Sequence, residues 1–331
     1  GLSEPIGHYY SMEEKMFINI SNQKKHPVCR FTLGIVAVVL LVAGLCHALL
    51  AAEAKQKSFK SPEEAVQVLV EAVKKGDTKG LMAIFGPTSK DIIFSGDKVA
   101  DKAGRGRFIA AYEEKNKLVN EGDKKVVLIV GQNDWPMPIP LVKEGEAWLF
   151  DTQAGEDEIL NRRIGKNELN TIEVCLAYVD AQREYALKDC DGNRVRDYAQ
   201  RFSSTRGKKD GLYWETKEGD VQSPMGPLMA KAAKEGYKRF TLSPYHGYYY
   251  KILKAQGAHA SGGAYSYVAH GNMMGGFALV AYPAAYGNSG VMTFVVNQDG
   301  FVYQKDLGKD SKKIAEAMTL YDPDETWKQL K

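Results

Sequence analysis

The sequence predicts an α+β protein built from two successive domains, and three observations carry that prediction. Short amphipathic helices precede alternating strands between residues 61 and 150. A long helical pattern opens at Asn167, and β-rich segments after residue 239 end in the turn Asn297-Gln298-Asp299-Gly300. Helices packed on antiparallel sheet make α+β layers, and 331 residues suffice for two domains at about 100–200 residues each.

The N-terminal 54 residues stand apart from both domains. Residues 1–15 precede Met16 and are expected to be a non-native upstream extension. Lys24, Lys25 and Arg30 lead into an uncharged apolar stretch, 31–52, which is the charge order of a secretory signal. Ala52-Glu53-Ala54 puts small residues where a signal peptidase cleaves, so 16–54 reads as a signal peptide and Lys55 as the mature start. The alternative is an uncleaved anchor, since about 20 apolar residues span a bilayer. Lipidation at Cys46 is disfavoured by Leu45, where a small residue is wanted.

The first domain is expected over 55–165. Ser61 caps a helix with Pro62 at its first position and Glu64 three residues after the cap. Ala65, Val68, Leu69, Ala72 and Val73 form its apolar stripe, and Gly76-Asp77 ends it. A second helix turns Leu81, Ile84 and Phe85 inward and stops at Gly86-Pro87. Residues 105–119 read as helical, 126–130 as a buried strand, and Pro136, Pro138 and Pro140 as an edge segment. Lys143-Glu144-Gly145-Glu146 turns into Ala147-Trp148-Leu149-Phe150, closing a hairpin. Arg162, Arg163 and Lys166 cluster at the junction, where they read as a solvated helix end favoured by the dipole. An anion site is the other reading.

The second domain is expected over 166–331. Leu169, Ile172, Leu176 and Val179 give its long helix an apolar face that a sheet must cover. Segments 239–242, 248–253, 276–282, 291–296 and 301–303 supply strands, and 311–319 a last helix before Trp327. Export would make Cys175 and Cys190 disulfide candidates. A helix running to Leu187 would hold Cys175 ~18 Å behind its end, too far for a three-residue return. Cys175 therefore reads as a buried apolar residue and Cys190 as a loop thiol.

Several strings now carry a resemblance. Asp134-Trp135-Pro136-Met137-Pro138, Trp148-Leu149-Phe150-Asp151, Arg162 through Leu169, Pro244-Tyr245-His246-Gly247-Tyr248 and Gly275 through Ala281 make residues from about 58 to 330 similar to the bacterial domain of unknown function 2950 family. That family implies exported proteins and brings no activity or site with it. The order of helices and curved sheet in 55–165 is similar to a nuclear transport factor 2-like cone, a fold used for pockets and for inert contact modules alike. Asn167-Glu168-Leu169, Ala181-Gln182, Tyr185, Tyr286 through Gly290 and Asn297 through Gly300 resemble the head of a type IV pilin or pseudopilin. A pilin continues its apolar helix straight into the head, whereas here a whole domain separates 31–52 from Asn167. That departure argues against an ordinary pilus subunit and leaves docking against such machinery open.

Charge excludes one class of partner. The formal net charge of +3 is spread over 44 basic and 41 acidic side chains, and nucleic-acid binding needs a concentrated basic face. Residues 1–54 hold four of each sign, so the remainder keeps the same balance.

Two sites are candidates. Asp189, Asp191 and Asn193 alternate in a Gly-containing loop and offer hard oxygen ligands for a structural Ca²⁺. Arg194 and Gln200 stand where an EF-hand needs Gly and Glu, and an acidic turn after a helix is the plainer reading. Tyr245, His246, Tyr248 and Tyr250 could line a sugar or peptide groove, against the plainer reading of aromatics packing a sheet face. His246, His259 and His270 have no helical metal spacing, Gly287-Asn288-Ser289-Gly290 is a turn with no nucleophile elbow, and the Gly-Gly pairs lack a phosphate-loop Lys. No catalytic residues are assigned.

The sequence thus points to an exported, non-enzymatic envelope protein, periplasmic or secreted, acting on a protein partner in or near pilus or secretion machinery. It would touch a membrane only through 31–52, and only if that segment stays uncleaved. The alternative is a periplasmic ligand-binding protein or hydrolase that uses the cone pocket or the Tyr-rich strand, with Asp134 and Asp151 as the nameable carboxylates.

Overall fold

Ser61 starts the fold as its chemistry dictates. In the computed structural model, which describes residues 55–217, 219–237 and 243–330, its Oγ accepts from the Glu64 amide and the Glu64 carboxylate accepts from the Lys60 amide at 2.8 Å. This reciprocal cap opens helix α1 (Pro62–Lys75), and Gly76 closes it in the left-handed region at φ 64°. Helices α2 (Thr78–Phe85), α3 (Lys90–Ile93) and α4 (Lys98–Glu114) follow. The expected helix at 105–119 lies earlier: Asn116 donates its side-chain amide to the Tyr112 carbonyl, and Lys115 is already extended. The chain then enters strand β1 (Asn116–Asn120), whose Val119 and Leu118 favour a pleat.

Strands β2 (Lys125–Val130), β3 (Trp135–Pro136), β4 (Leu141–Glu144) and β5 (Ala147–Phe150) complete an antiparallel sheet in the order β1-β2-β4-β5, with β3 also paired to β2. Val126, Leu128 and Val130 join Leu69 of α1, Ile84 of α2 and Phe150 in one hydrophobic core. Phe150 meets Phe59 and Phe85 edge to face.

The long helix begins well before Asn167. Asp151 accepts from the Ala154 amide at 3.2 Å and caps α5 (Thr152–Ala186). The charged run at 156–166 is therefore an interior stretch of that helix, braced by the Glu158–Arg162 ion pair. Positions 165 and 166 lie within it, so one rigid rod serves both expected domains. Gly155 permits close approach here, for a Cβ would sit 2.5 Å from the Pro138 carbonyl oxygen.

The buried face of α5 keeps half of the expected stripe, with Val179 buried and Ile172 packed against the core. Leu169 and Leu176 are 67% and 43% exposed, whereas Thr171, Cys175, Tyr178 and Gln182 are wholly buried. Both sets fit a 3.6-residue period. The sheet takes the second because its polar atoms are satisfied: Gln182 pairs with both backbone groups of Ala199, Thr171 donates to the Asn167 carbonyl, and Tyr178 donates to that of Ala278. Cys175 is buried and Cys190 partly so, both as free thiols.

After α6 (Gly226–Lys234) come β6 (Tyr248–Leu253), the short β7 (Ala255–Gln256), β8 (Tyr265–Ser266), β9 (Val268–Ala269) and β10 (Asn272–Met273), then β11 (Ala278–Pro283), β12 (Met292–Asn297), β13 (Val302–Asp306), α7 (Ser311–Ala317) and β14 (Lys328–Gln329). The main sheet runs β14-β13-β12-β11-β6, antiparallel throughout. Helix α5 packs on β11, β12 and β13, α7 packs on β11, and every β11 side chain is buried. The α+β class is thus observed. The expected strand at 239–242 and the segments 1–15 and 16–54 lie outside the described residues. Among the described residues no helix is long and apolar enough to cross a membrane.

Candidate functional site

Asp97 ties the two cores together. Its Oδ1 caps α4 by accepting from the Val99 and Ala100 amides at 3.0 Å. Its Oδ2 accepts from the Tyr237 hydroxyl at 2.7 Å and the Gly247 amide at 3.1 Å. Burial, reinforced by the bond to Asp97, pushes the Tyr237 phenol far above its ordinary value, so Tyr237 is a fixed donor. Gly247 belongs to the turn Tyr245-His246-Gly247-Tyr248, closed by the Tyr248 amide on the Tyr245 carbonyl at 3.2 Å. His246 and Gly247 have φ of 51° and 76°, the positive central pair of a type I′ turn. A Cβ on Gly247 would lie 2.5 Å from Asn167 Nδ2, so the turn also depends on a close approach to α5.

Beside this joint a cavity of about 660 Å³ opens between α4, α5 and the N-terminal core. Leu69, Val73, Leu81, Phe85 and Met137 give it an apolar floor, and α5 lines it with Ile159, Arg162, Arg163, Lys166, Asn167 and Asn170. Helix α4 contributes Val99, Ala100, Ala103, Gly104, Arg105, Arg107 and Phe108, while Lys231, Glu235, Tyr237 and His246 come from the C-terminal half. None of the residues of α4 is fully buried, although it is a helix of 17 residues. It covers the cavity as a cover that packs loosely.

Arg163 is the best-fixed cation of the wall. It donates to the Asp91 and Ile92 carbonyls, both at 2.6 Å, and to the Asn288 side-chain oxygen. Burial pulls its guanidinium below the ordinary value, and the Asp101 and Asp91 carboxylates work the other way; a guanidinium remains charged regardless. Arg162 lies over the Trp135 ring at 5.7 Å. Asp101 accepts from the Ser95 hydroxyl at 2.6 Å and from the Ser95 amide. His246 Nε2 is 3.5 Å from Glu235 Oε2. Burial lowers the imidazole pKa below its ordinary value, Glu235 opposes that and Lys231 adds to it.

Of the Tyr-rich set, His246 alone lines this cavity. Tyr245 and Tyr248 are wholly buried, and the Tyr248 hydroxyl donates to the Met292 carbonyl. Tyr250 reaches inward to Thr171 Oγ1 and the Tyr245 carbonyl. Asp189, Asp191 and Asn193 are brought together on an exposed loop, where their oxygens already accept hydrogen bonds from that loop. Asp189 takes the Gly192 and Arg194 amides, Asp191 the Asn193 amide, and Asn193 the Val195 amide. Among the described residues no group of three or more His, Cys, Asp or Glu is placed to hold a metal ion. Asp134 is exposed and held by Lys115 and Lys117, the Lys115 hydrogen bond chiefly lowering its pKa, and Asp151 is spent on the α5 cap.

Sequence reasoning missed Asp97, Arg105, Glu235 and Tyr237. Ser95-Gly96-Asp97 ahead of a helical run was the available sign for the first.

Fold and cavity together define a class: an α+β protein with a basic, apolar-floored cavity of small-molecule size between its two cores. The chain belongs to the family described as Protein of unknown function (DUF2950), whose model matches residues 56–330. The family resemblance read from the motif strings is borne out over nearly the same span. No curated protein and no solved structure matches the chain.

Proposed function

We propose that the protein is an exported, non-enzymatic envelope protein that binds a small molecule in this cavity. One observation carries the reading: about 660 Å³ of space, within the ~300–1,000 Å³ of small-molecule sites, is covered by a helix with no fully buried residue. Among the described residues Ser95 is the cavity wall's Ser, Thr or Cys, and its hydroxyl is committed to Asp101. Acyl transfer therefore has no nucleophile beside His246 and Glu235 in that wall, which favours binding over the hydrolase alternative. A thermal-shift screen of metabolite-sized compounds tests it. A binder at 100-fold its Kd stabilises by ~2.7 kcal/mol, and Ala103→Trp, which fills the cavity, abolishes the shift. Shifts that persist in that variant overturn the reading.

Export rests on 16–54 as a signal peptide, with periplasmic or secreted residence following from it. N-terminal sequencing that finds Lys55 first supports it, and an intact chain in the cytoplasm removes it. The cone-like reading of 55–165 draws support from helices packed on a sheet in β1-β2-β4-β5 order. The pilin-like reading of 166–331 draws it from a long helix laid on an antiparallel meander.

Contact with an envelope protein partner, such as pilus or secretion machinery, is a second reading. The exposed Leu169 and Leu176 on the outer face of α5 favour it. A photocrosslinker at 169 that captures one defined partner in cells supports it, and no adduct above a control at buried position 175 removes it. A structural calcium at Asp189, Asp191 and Asn193 is a separate proposal. Calcium would have to displace turn hydrogen bonds, and calorimetric titration without heat disposes of it.

A further inference from the structure

The walls of the cavity change character along its length. On α5 the lining residues run from Ile159 through Arg162, Arg163 and Lys166 to Asn170, about 16 Å of helix at ~1.5 Å per residue. Ile159 packs into the N-terminal core with Leu69 and Phe85. Asn167, at the other end, donates to the Ser289 carbonyl beside the Gly247 turn. Helix α4 runs the opposite way, from its Asp97 cap at Tyr237 to Phe108 and Tyr112 against the N-terminal core. One end is thus apolar and the other polar, with a belt of cations between.

The belt keeps an excess of positive charge, its Arg and Lys side chains outnumbering the wall's carboxylates. Among the described residues Arg105, Arg107, Arg163, Lys166 and Lys231 enter no ion pair. The two carboxylates of the wall, Asp101 and Glu235, offset the belt only in part: Asp101 acts on the Arg163 guanidinium, and Glu235 sits beside His246. A small hydrophilic anion would satisfy the belt and leave the floor in water. A neutral apolar molecule would fill the floor and further desolvate unpaired charge, which is unfavourable. A cation would be repelled. An apolar chain ending in an anionic group meets both demands, burying the chain at about 25 cal/mol per Å² and pairing the head with guanidinium.

We infer that the cavity takes a single-chain amphipathic anion, its aliphatic body on Leu69, Phe85 and Met137 and its carboxylate or phosphate group at Arg105, Arg163 and Lys166. This rests on the small-molecule reading above and adds the ligand's chemical class. Arg163, held by two carbonyls and Asn288, is the preorganised charge of the head site. Arg105 and Lys166 are free to close on it.

Calorimetry on the purified full chain, with probes kept below their micelle concentrations, tests the inference. The probes are decanoate, decyl phosphate, decanol, decyltrimethylammonium and acetate. Decanoate and decyl phosphate bind tighter than decanol by about tenfold or more, ~1.4 kcal/mol, and the cationic probe and acetate give no heat. R105Q/K166Q, whose two side chains have no ion pair to lose, weakens decanoate about tenfold and leaves decanol unchanged; added salt does the same. Comparison of decanoate with decyl phosphate reports which head the belt prefers. Equal binding of decanoate and decanol, or a double variant that weakens neither, overturns the ligand class while leaving a small-molecule cavity standing. Silence from all five probes also overturns the class, and the screen with Ala103→Trp then decides the cavity on its own.

Discussion

The two cores of this chain bury their surfaces to different degrees. In the C-terminal core every residue of β11 is buried and α5 and α7 cover the sheet, with Tyr178, Phe277 and Phe294 packed without exposed area. In the N-terminal core α1 and α2 pack on each other and on β5, yet α4, which lies against α1 and β2, leaves all of its residues at least partly exposed. The first arrangement completes a scaffold, and the second keeps space open beside it. Ligand sites and low-stability segments belong to the second kind.

The largest effect that would break this contrast is in the complete core. Phe294→Ala removes a side chain with no exposed area at the centre of the β12 row, and cavity formation costs about 3–5 kcal/mol in urea denaturation. Phe108→Ala on α4, where the ring is only partly buried, should cost well under half of that. Equal losses would mean that α4 is packed as tightly as the sheet.

The joint comes next. Asp97→Ala removes an N-cap and strands the Tyr237 hydroxyl and Gly247 amide, which should cost about 2–4 kcal/mol from cap and buried-partner terms combined. Tyr237→Phe, which deletes just one donor, should cost less. If hydrogen exchange in Asp97→Ala rises in α4 alone, the joint pins the cover. If it rises equally in β6 and β11, the two cores unfold together.

How much of this was legible in the sequence follows the same contrast. The cap of α1, the stops at Gly76 and Gly86, the 141–150 hairpin and the terminal meander announce themselves through local chemistry: capping oxygens, left-handed glycines and alternating β-branched residues. The face of α5 was half legible: the expected Val179 is buried, but beside it lie Asn167 and Gln182, polar groups whose partners Ser289 and Ala199 lie far along the chain. Leucines at 169 and 176 gave the stronger local pattern and pointed outward. The cavity was half legible. Arg162, Arg163 and Lys166 stood out as a cluster with an anion site as one reading, whereas Asp97, Glu235 and Tyr237 acquire meaning only when tertiary contacts bring residues some 140 positions apart together.

A gain of stability should sharpen the comparison from the other side. Gly104 and Gly106 sit inside α4 without positive φ, and a Cβ at Gly106 would meet nothing within 4 Å. Gly→Ala at each should stabilise the helix by about 0.5–1 kcal/mol. Amide exchange in α4 should slow while exchange in β11 stays the same, and a ligand that enters by displacing the cover should bind more slowly. Unchanged exchange in α4 would show that its motion is limited by the Asp97 joint and not by helix propensity.

The smallest effect concerns two histidines that report the two environments with opposite sign. His246 in the cavity wall has its pKa lowered, chiefly by burial, with Lys231 and Lys166 adding to the shift and Glu235 and Asp97 opposing it. Its unfolded form therefore takes up a proton first as pH falls. The stability it contributes is present above the ordinary value of 6.5 and is lost as pH drops through the lowered folded value. His259 is raised instead, mainly by its hydrogen bond to Asp322, so its contribution is present below 6.5 and fades as pH climbs through the raised value. Solvent around the exposed His259 pair screens it, leaving the smaller amplitude. Melting temperature measured between about pH 5 and 8 separates the two. His246→Asn, which tolerates the φ of 51°, should flatten the acid side, and His259→Asn should flatten the neutral side. An acid limb unchanged in His246→Asn would move the titration to a carboxylate. It would also mean that the cavity wall is wetter than the burial of His246 implies.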